Sequence, residues 1–97
     1  MDDKIKRLQE ALDAANRRVV ECERSLAEGR RWYEVGYPYW MVVTPDEHRL
    51  AEAIDEQRIA QKRVEYAKIK NEYGDSELRR WLGEVMYREA EEQLLLP

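Results

Sequence analysis

The chain has 97 residues, enough for one domain with a modest core, and its 17 basic and 21 acidic side chains give a net charge of −4. The charges are spread evenly, so no basic tail attracts nucleic acid or anionic lipid, and no apolar run approaches the length that crosses a membrane. The single cysteine, Cys22, cannot form an internal disulfide and the N-terminus does not resemble a signal peptide, so a cytoplasmic protein is predicted.

A heptad stripe marks the first predicted helix, over about 3–28. Its apolar residues are spaced alternately by three and four positions, as in coiled coils: Ile5, Leu8, Leu12, Ala15, Val19, Cys22 and Leu26. Gly29 is interpreted as the residue that ends this helix. The stripe is expected to be buried, either against a second helix of the same chain or against a second copy.

The composition changes abruptly over residues 30–43. Aromatic and β-branched side chains stand on both sides of Gly36 and Pro38. Strand-forming residues around a turn predict a short β-hairpin over about 31–43. A two-stranded hairpin is marginal alone in water, so this one is expected to lean on the helices or on a partner.

A second helix is predicted over about 45–73. Thr44 suits the cap, Pro45 suits the first helical position, and Glu47 would complete a capping box with Thr44. Gly74 is expected to end the helix. The two long helices are of similar length, so we expect them to pack side by side as an antiparallel helical hairpin.

A third helix is predicted over about 76–93, after Asp75 and Ser76 as capping residues. We expect its apolar face to pack on the second helix through five residues: Leu78, Trp81, Leu82, Val85 and Met86. The prediction is therefore a mainly α fold in a single domain, 1–97. It is an antiparallel helical hairpin joined by a short β-hairpin, with a third C-terminal helix packed on the second predicted helix, 45–73.

The sequence offers no pattern typical of catalysis. One histidine and one cysteine cannot form a Cys/His zinc site, and there is no glycine-rich phosphate loop. The acidic residues follow the solvent faces of the predicted helices, and four of them stand three positions before a basic residue, where charge pairing explains them: Glu21, Asp55, Glu65 and Glu77. We therefore predict a non-enzymatic protein without catalytic residues, cofactor or metal.

A run of aromatic and basic residues is the candidate partner-binding site. It consists of Arg30, Arg31, Trp32, Tyr33, Tyr37, Tyr39 and Trp40. Trp, Tyr and Arg are the residue types most enriched among interface hot spots. We expect one tryptophan to belong to the core and at least one ring to be a solvent-exposed anchor. The leading hypothesis is an adaptor, or an inhibitor that occludes a site on a larger protein, of the kind phages and mobile elements encode.

Nucleic acid is the alternative partner. Trp32 and Tyr33 could stack on bases while Arg30 and Arg31 meet phosphates. The chain could instead mimic nucleic acid through an acidic cluster: Glu84, Glu89, Glu91 and Glu92. The overall acidic charge ranks both readings below a protein partner.

Self-association is a further prediction. Gln57 and Asn71 make an incomplete polar partner for the heptad stripe, and residual apolar surface is expected at Met86 and the Leu94–Leu96 tail, which favours a homodimer. The predicted order of helix, β-hairpin and helix resembles the plan of prefoldin-type coiled-coil chaperone subunits. That resemblance implies a third functional class, a structural or assembly subunit.

Overall fold

The computed structural model describes residues 3–97 and is 89% helical. Its elements in chain order are α1 (Asp3–Val35), α2 (Tyr39–Val42), α3 (Thr44–Tyr73) and α4 (Asp75–Glu92). No residue from 3 to 97 is in a strand, so the mainly α class is confirmed and the β-hairpin predicted over 31–43 is wrong. None of the helices in this range combines the length and apolarity needed to cross a bilayer.

The predicted hairpin is replaced by an extension of α1 to Val35. Gly36 then takes a φ of +124°, and the backbone N–H groups of Gly36 and Tyr37 donate to the carbonyls of Tyr33 and Trp32 at 3.0 and 3.1 Å. This bonding pattern is the Schellman helix stop, for which glycine is the favoured residue. The strand preference of aromatic residues reflects packing on a half-buried surface, and here a helix surface provides the packing.

A short helix, α2, fills the rest of the predicted hairpin. Pro38 precedes it with φ −62°, and its carbonyl accepts hydrogen bonds from the N–H groups of Met41 and Val42 at 3.0 and 3.1 Å. Val43 separates α2 from α3 and is fully buried. The backbone is thus satisfied by local helical bonds, so no partner strand is required.

The described chain divides into two compact units. The aromatic unit is Asp13–Arg58, and the α4 unit comprises residues 3–12 with Ile59–Pro97. Both long helices, α1 and α3, contribute residues to each unit.

In the aromatic unit α1 and α3 run antiparallel. The Ser25 hydroxyl donates to Asp46 Oδ1 at 3.0 Å, and Gln57 Nε2 donates to Asn16 Oδ1 at 2.8 Å. Residues farther along α1 therefore meet residues nearer the start of α3. Gln57 finds a polar partner within the chain at Asn16, which removes one argument for covering the heptad stripe with a second copy.

The heptad stripe of α1 faces inward, as its Leu12, Val19 and Leu26 are all buried. Gly29 lies three residues after Leu26 and continues the stripe, and it is buried as well. A Cβ atom at Gly29 would overlap the carbonyl oxygen of Val42. The prediction that Gly29 ends the helix is therefore wrong: the glycine provides the space for another backbone segment to approach α1.

The α4 unit has its own hydrophobic core. The buried members come from α3, α4 and the C-terminal tail: Tyr66, Leu78, Leu82, Ala90 and Leu95. Ile69, Tyr87 and Leu96 pack against them while remaining partly exposed. The helix boundaries in this unit lie within a residue of those predicted, and α3 ends just before Gly74 as expected.

Only part of the apolar face predicted for α4 reaches this core. Trp81, Val85 and Met86 are exposed. Val85 and Met86 follow Gly83, which interrupts the helix with φ 80° and ψ 164°. A break at one residue changes which later positions face the core, since side-chain direction follows the helical turn. Beyond Gly83 it is Ala90 that is buried.

The C-terminal tail has a definite place in the α4 unit. Leu94 adopts φ 59°, and the N–H groups of Leu94 and Leu95 donate to the carbonyls of Glu91 and Ala90 at 3.2 and 2.8 Å. This is a second Schellman stop, here with leucine at the left-handed position, and it directs Leu95 onto Ala90 in the core. Arg63 Nε also donates to the Leu94 carbonyl, at 3.1 Å.

Candidate interaction surface

The predicted partner-binding residues lie in the aromatic unit, at the end of α1 and in the segment leading to α3. Four are in α1, one is in the connection and two are in α2: Arg30, Arg31, Trp32, Tyr33, Tyr37, Tyr39 and Trp40. All seven are solvent-exposed. The expectation that at least one ring is exposed is confirmed, whereas the expectation that one of these tryptophans belongs to the core is wrong.

Four of the rings form two edge-to-face pairs. The centroids of Trp32 and Tyr37 are 5.3 Å apart with an interplanar angle of 79°, and those of Tyr33 and Tyr39 are 5.2 Å apart at 89°. This geometry places a ring edge against the electron-rich face of its neighbour, the arrangement that aromatic pairs prefer. The pairs tie the connection and α2 to the last turns of α1 even though the rings remain exposed.

A hydrogen bond connects α2 to the first turn of α3. The Tyr39 hydroxyl donates to Glu47 Oε2 at 2.9 Å. This bond to a carboxylate, with loss of solvation as a smaller cause, raises the pKa of Tyr39 above its ordinary value of 10.0. The Glu47 side chain, predicted to form a capping box with Thr44, is thus used to position α2.

Trp40 differs from the other rings of this segment. It is 69% exposed and forms no ring contact with any residue of 3–97, and the neighbouring Met41 is exposed too. An indole held in water exposes a large apolar surface, which is unfavourable until another surface covers it.

The two arginines of this segment have no acidic partner among residues 3–97. Within residues 3–97 neither Arg30 nor Arg31 forms an ion pair, whereas Arg18 pairs with Glu56 and Arg49 pairs with Asp46. An unpaired guanidinium presents its five donors to whatever approaches, and carboxylates and phosphates match its geometry best.

A shallow groove of about 400 Å³ opens beside Trp32 in the same unit. Trp32 and Met41 supply apolar lining, and Glu28, Asp46 and Arg49 bring charged groups to it. The groove suits an apolar side chain flanked by polar groups. Sequence reasoning missed Met41 and the groove, because both depend on α2 being a helix.

The side chains of this surface offer several kinds of non-covalent contact. In the part of the chain that the structure describes, no group of three or more His, Cys, Asp and Glu side chains could hold a metal ion. The same range contains no buried side-chain nitrogen or oxygen that lacks a hydrogen bond. Rings, two arginines and a polar-rimmed groove provide stacking, apolar contact and charged hydrogen bonds.

Comparisons of this chain with known protein families, with curated proteins and with solved structures found no match.

Proposed function

We propose that this chain is a non-enzymatic protein-binding module, acting as an adaptor or as an inhibitor that occludes a site on a larger protein. The contact residues are the aromatic surface, defined as Arg30, Arg31, Trp32, Tyr33, Tyr37, Tyr39 and Trp40. Trp40 is the central anchor, and the groove beside Trp32 receives a side chain of the partner.

The exposure of Trp40 is the observation that carries this proposal. The neighbouring rings are held in pairs, so Trp40 projects from a positioned segment and not from a loose loop. Rigid aromatic anchors lose little conformational entropy on binding and therefore contribute strongly to affinity. Arg30 and Arg31 add donors for carboxylates on the partner surface.

The experiment is capture of a partner from the native host on immobilised protein, followed by affinity measurement with the Trp40→Ala variant. Binding is expected to weaken by roughly 2 kcal/mol or more, as for a hot-spot residue. The free energy of unfolding of the same variant, measured by thermal unfolding, is expected to change by less than about 0.5 kcal/mol, because an exposed side chain contributes little to stability.

Two variants serve as controls. Trp81→Ala removes a tryptophan of nearly equal exposure (68%) from the α4 unit and should retain the captured partner. Val43→Ala alters a fully buried residue next to α2 and should lower stability and binding together. A partner retained equally by Trp40→Ala would contradict the proposal.

Nucleic acid is the competing class of partner, and salt dependence separates it from protein. Phosphate neutralisation releases counterions, so the affinity would fall steeply with salt concentration. A complex held by an aromatic anchor changes little over the same range. The resemblance to prefoldin-type subunits depended on a β-hairpin, and its absence from residues 3–97 leaves an assembly-subunit role without that support.

The homodimer remains a prediction with fewer observations behind it. Gln57 is hydrogen-bonded to Asn16, and Leu95 is buried in the α4 unit, so two of the features that favoured a second copy are satisfied within the chain. Sedimentation of the isolated protein over a range of concentrations is the measurement that decides it.

A further inference from the structure

The interruption at Gly83 places two large apolar side chains in water. Leu78 and Leu82 are buried, and in an uninterrupted helix Val85 and Met86 would share their face because they follow Leu82 by three and four positions. In the structure Val85 is 73% and Met86 is 53% exposed. The exposure is thus produced by a specific backbone feature of α4.

The same part of α4 carries most of the net charge of the protein. Residues 84–92 contain four glutamates and one arginine, a net charge of −3, out of −4 for all 97 residues. Glu84 is paired with Arg79, but Glu89 and Glu92 form no ion pair with any residue of 3–97. Unpaired carboxylates therefore stand next to exposed aliphatic side chains.

Val85 and the unpaired carboxylates of Glu89 and Glu92 meet in a groove of about 250 Å³ along the helix surface. The groove is lined by Val85 with charged residues around it: Glu84, Arg88, Glu89 and Glu92. We propose that this α4 groove is a second docking site, one that binds a basic amphipathic segment of a partner protein. Aliphatic side chains of the segment cover Val85, and its Lys or Arg side chains pair with Glu89 and Glu92.

Charge complementarity selects this occupant. Apolar contact with Val85 supplies affinity, and the carboxylates orient a cationic segment and accelerate its approach. A second copy of the same groove would bring glutamates against glutamates, and like charges juxtaposed across an interface are unfavourable. The site belongs to the α4 unit and uses no residue of the aromatic surface, so a chain with both could hold two partners.

The test uses synthetic helical peptides and fluorescence anisotropy at low, fixed ionic strength. The probe has Lys on one face and Leu on the other. One comparison peptide replaces every Lys by Glu, and another replaces every Leu by Ser. The proposal requires that the probe bind the full-length protein and that both comparison peptides bind at least about fivefold more weakly, a difference of roughly 1 kcal/mol.

Two variants locate the site, each with a control matched in chemistry. The double variant Glu89→Gln, Glu92→Gln should weaken binding of the probe at least about fivefold, and so should the single variant Val85→Ser. Glu21→Gln with Glu23→Gln changes the net charge identically on α1, and Val20→Ser removes an exposed valine there; both should leave binding within about twofold. Trp40→Ala should also bind the probe normally, so a failure here is distinguishable from a failure of the aromatic surface.

Three results would overturn the proposal. Absence of probe binding to the unmodified protein excludes the site. Equal losses in the α1 controls mean that the probe responds to overall charge. A concentration-dependent dimer that Val85→Ser dissociates would show that a second copy occupies the groove.

Discussion

Each of the two units depends on one glycine, and the two glycines act for opposite physical reasons. Gly29 in the aromatic unit is a helical residue in a crowded place, where a Cβ would overlap the Val42 carbonyl oxygen. At Gly83 in the α4 unit a Cβ would meet no atom from beyond the neighbouring residues within 4 Å, but the φ of Gly83 is +80°. The first glycine is needed for space and the second for backbone conformation.

The comparison explains why glycine is a misleading sign in the sequence, both of where a helix ends and of where it continues. Glycine is interpreted as a helix stop when it follows a periodic pattern, as at Gly29, yet there the helix continues. The helix predicted over about 76–93 runs through Gly83, yet there the helix breaks. The first role depends on the segment that approaches Gly29, and the second depends on the backbone dihedral angles at Gly83.

The largest effect is expected for Gly29→Ala. The new methyl group would have to displace the backbone at Val42, and overpacking of this kind costs about 3 kcal/mol, more than the roughly 1 kcal/mol that alanine gains in helix propensity. Urea unfolding measures the loss. Glu28→Ala, at the exposed neighbouring position, is the control and should stay within about 0.5 kcal/mol. A stabilised Gly29→Ala protein would mean that Val42 does not approach α1.

Gly83→Ala is expected to lower the free energy of unfolding by less, roughly 1–2 kcal/mol, because only backbone strain opposes it. The sharpest control is chemical synthesis of the chain with D-alanine at the same position, since a D-residue favours positive φ. The D-variant should unfold like the unmodified protein. If L-alanine raises both stability and helix content, α4 is instead a continuous helix with Val85 and Met86 turned toward the core.

Leu94→Gly is expected to stabilise the protein by roughly 0.5–1 kcal/mol. Leu94 holds a left-handed φ of 59° while 74% exposed, so glycine removes strain and loses little burial. Gln93→Gly, one residue earlier at φ −86°, is the matched control and should destabilise. Thermal unfolding distinguishes the two, and equal losses from both would indicate that Leu94 carries no strain.

The smallest effect concerns acid titration of the α4 unit. Bidentate bonds from Arg79 at 3.2 and 3.3 Å to the Glu84 carboxylate lower the pKa of Glu84 below its ordinary 4.5. A lowered pKa in the folded state gives stability that is present above the ordinary value and lost as the pH falls through the lowered one. Glu84→Gln should therefore be less stable than the unmodified protein at pH 6, with the difference vanishing in strong acid. A constant difference across that range would contradict this linkage.

The main tie of the aromatic unit responds to base, because the hydrogen bond from Tyr39 to Glu47 raises a phenol pKa. The stability that this bond contributes is present below the ordinary value of 10.0 and is lost as the pH rises through the raised pKa. In the α4 unit, the Arg79 guanidinium also forms a cation–π contact, 4.9 Å from the centroid of the Tyr87 ring. The Arg79–Glu84 pair is thus lost in acid, and the hydrogen bond that Tyr39 donates is lost in base.

Much of the helical architecture followed from local patterns. The alternating spacing that includes Leu12, Val19 and Leu26 requires a buried helical face, and the structure buries all three. Thr44-Pro45 and Gly74 bounded α3 within a residue of the observed helix. Such signals are readable because helical periodicity and terminal residues act over a single turn.

The candidate surface was recognisable by composition but not by conformation. Trp32, Tyr33 and Trp40 were identified by residue type, and all are exposed. Their strand preference was misleading, because β-propensity measures how a side chain fits its neighbours and not what the backbone prefers. The Glu47 carboxylate could not be assigned to Tyr39 before α2 was known.

By itself the sequence determined that the chain is mainly helical, where α1 begins, where α3 and α4 lie, and which segment concentrates rings and arginines, because these follow from spacing and composition within a few turns. Only the tertiary structure decided that Gly29 permits a close approach, that Gly83 turns Val85 outward, and that Leu95 completes the core of the α4 unit. The physical reason is common to all three. Each outcome depends on atoms that come from elsewhere in the chain or on one backbone dihedral angle, and neither leaves a periodic trace in the order of the residues.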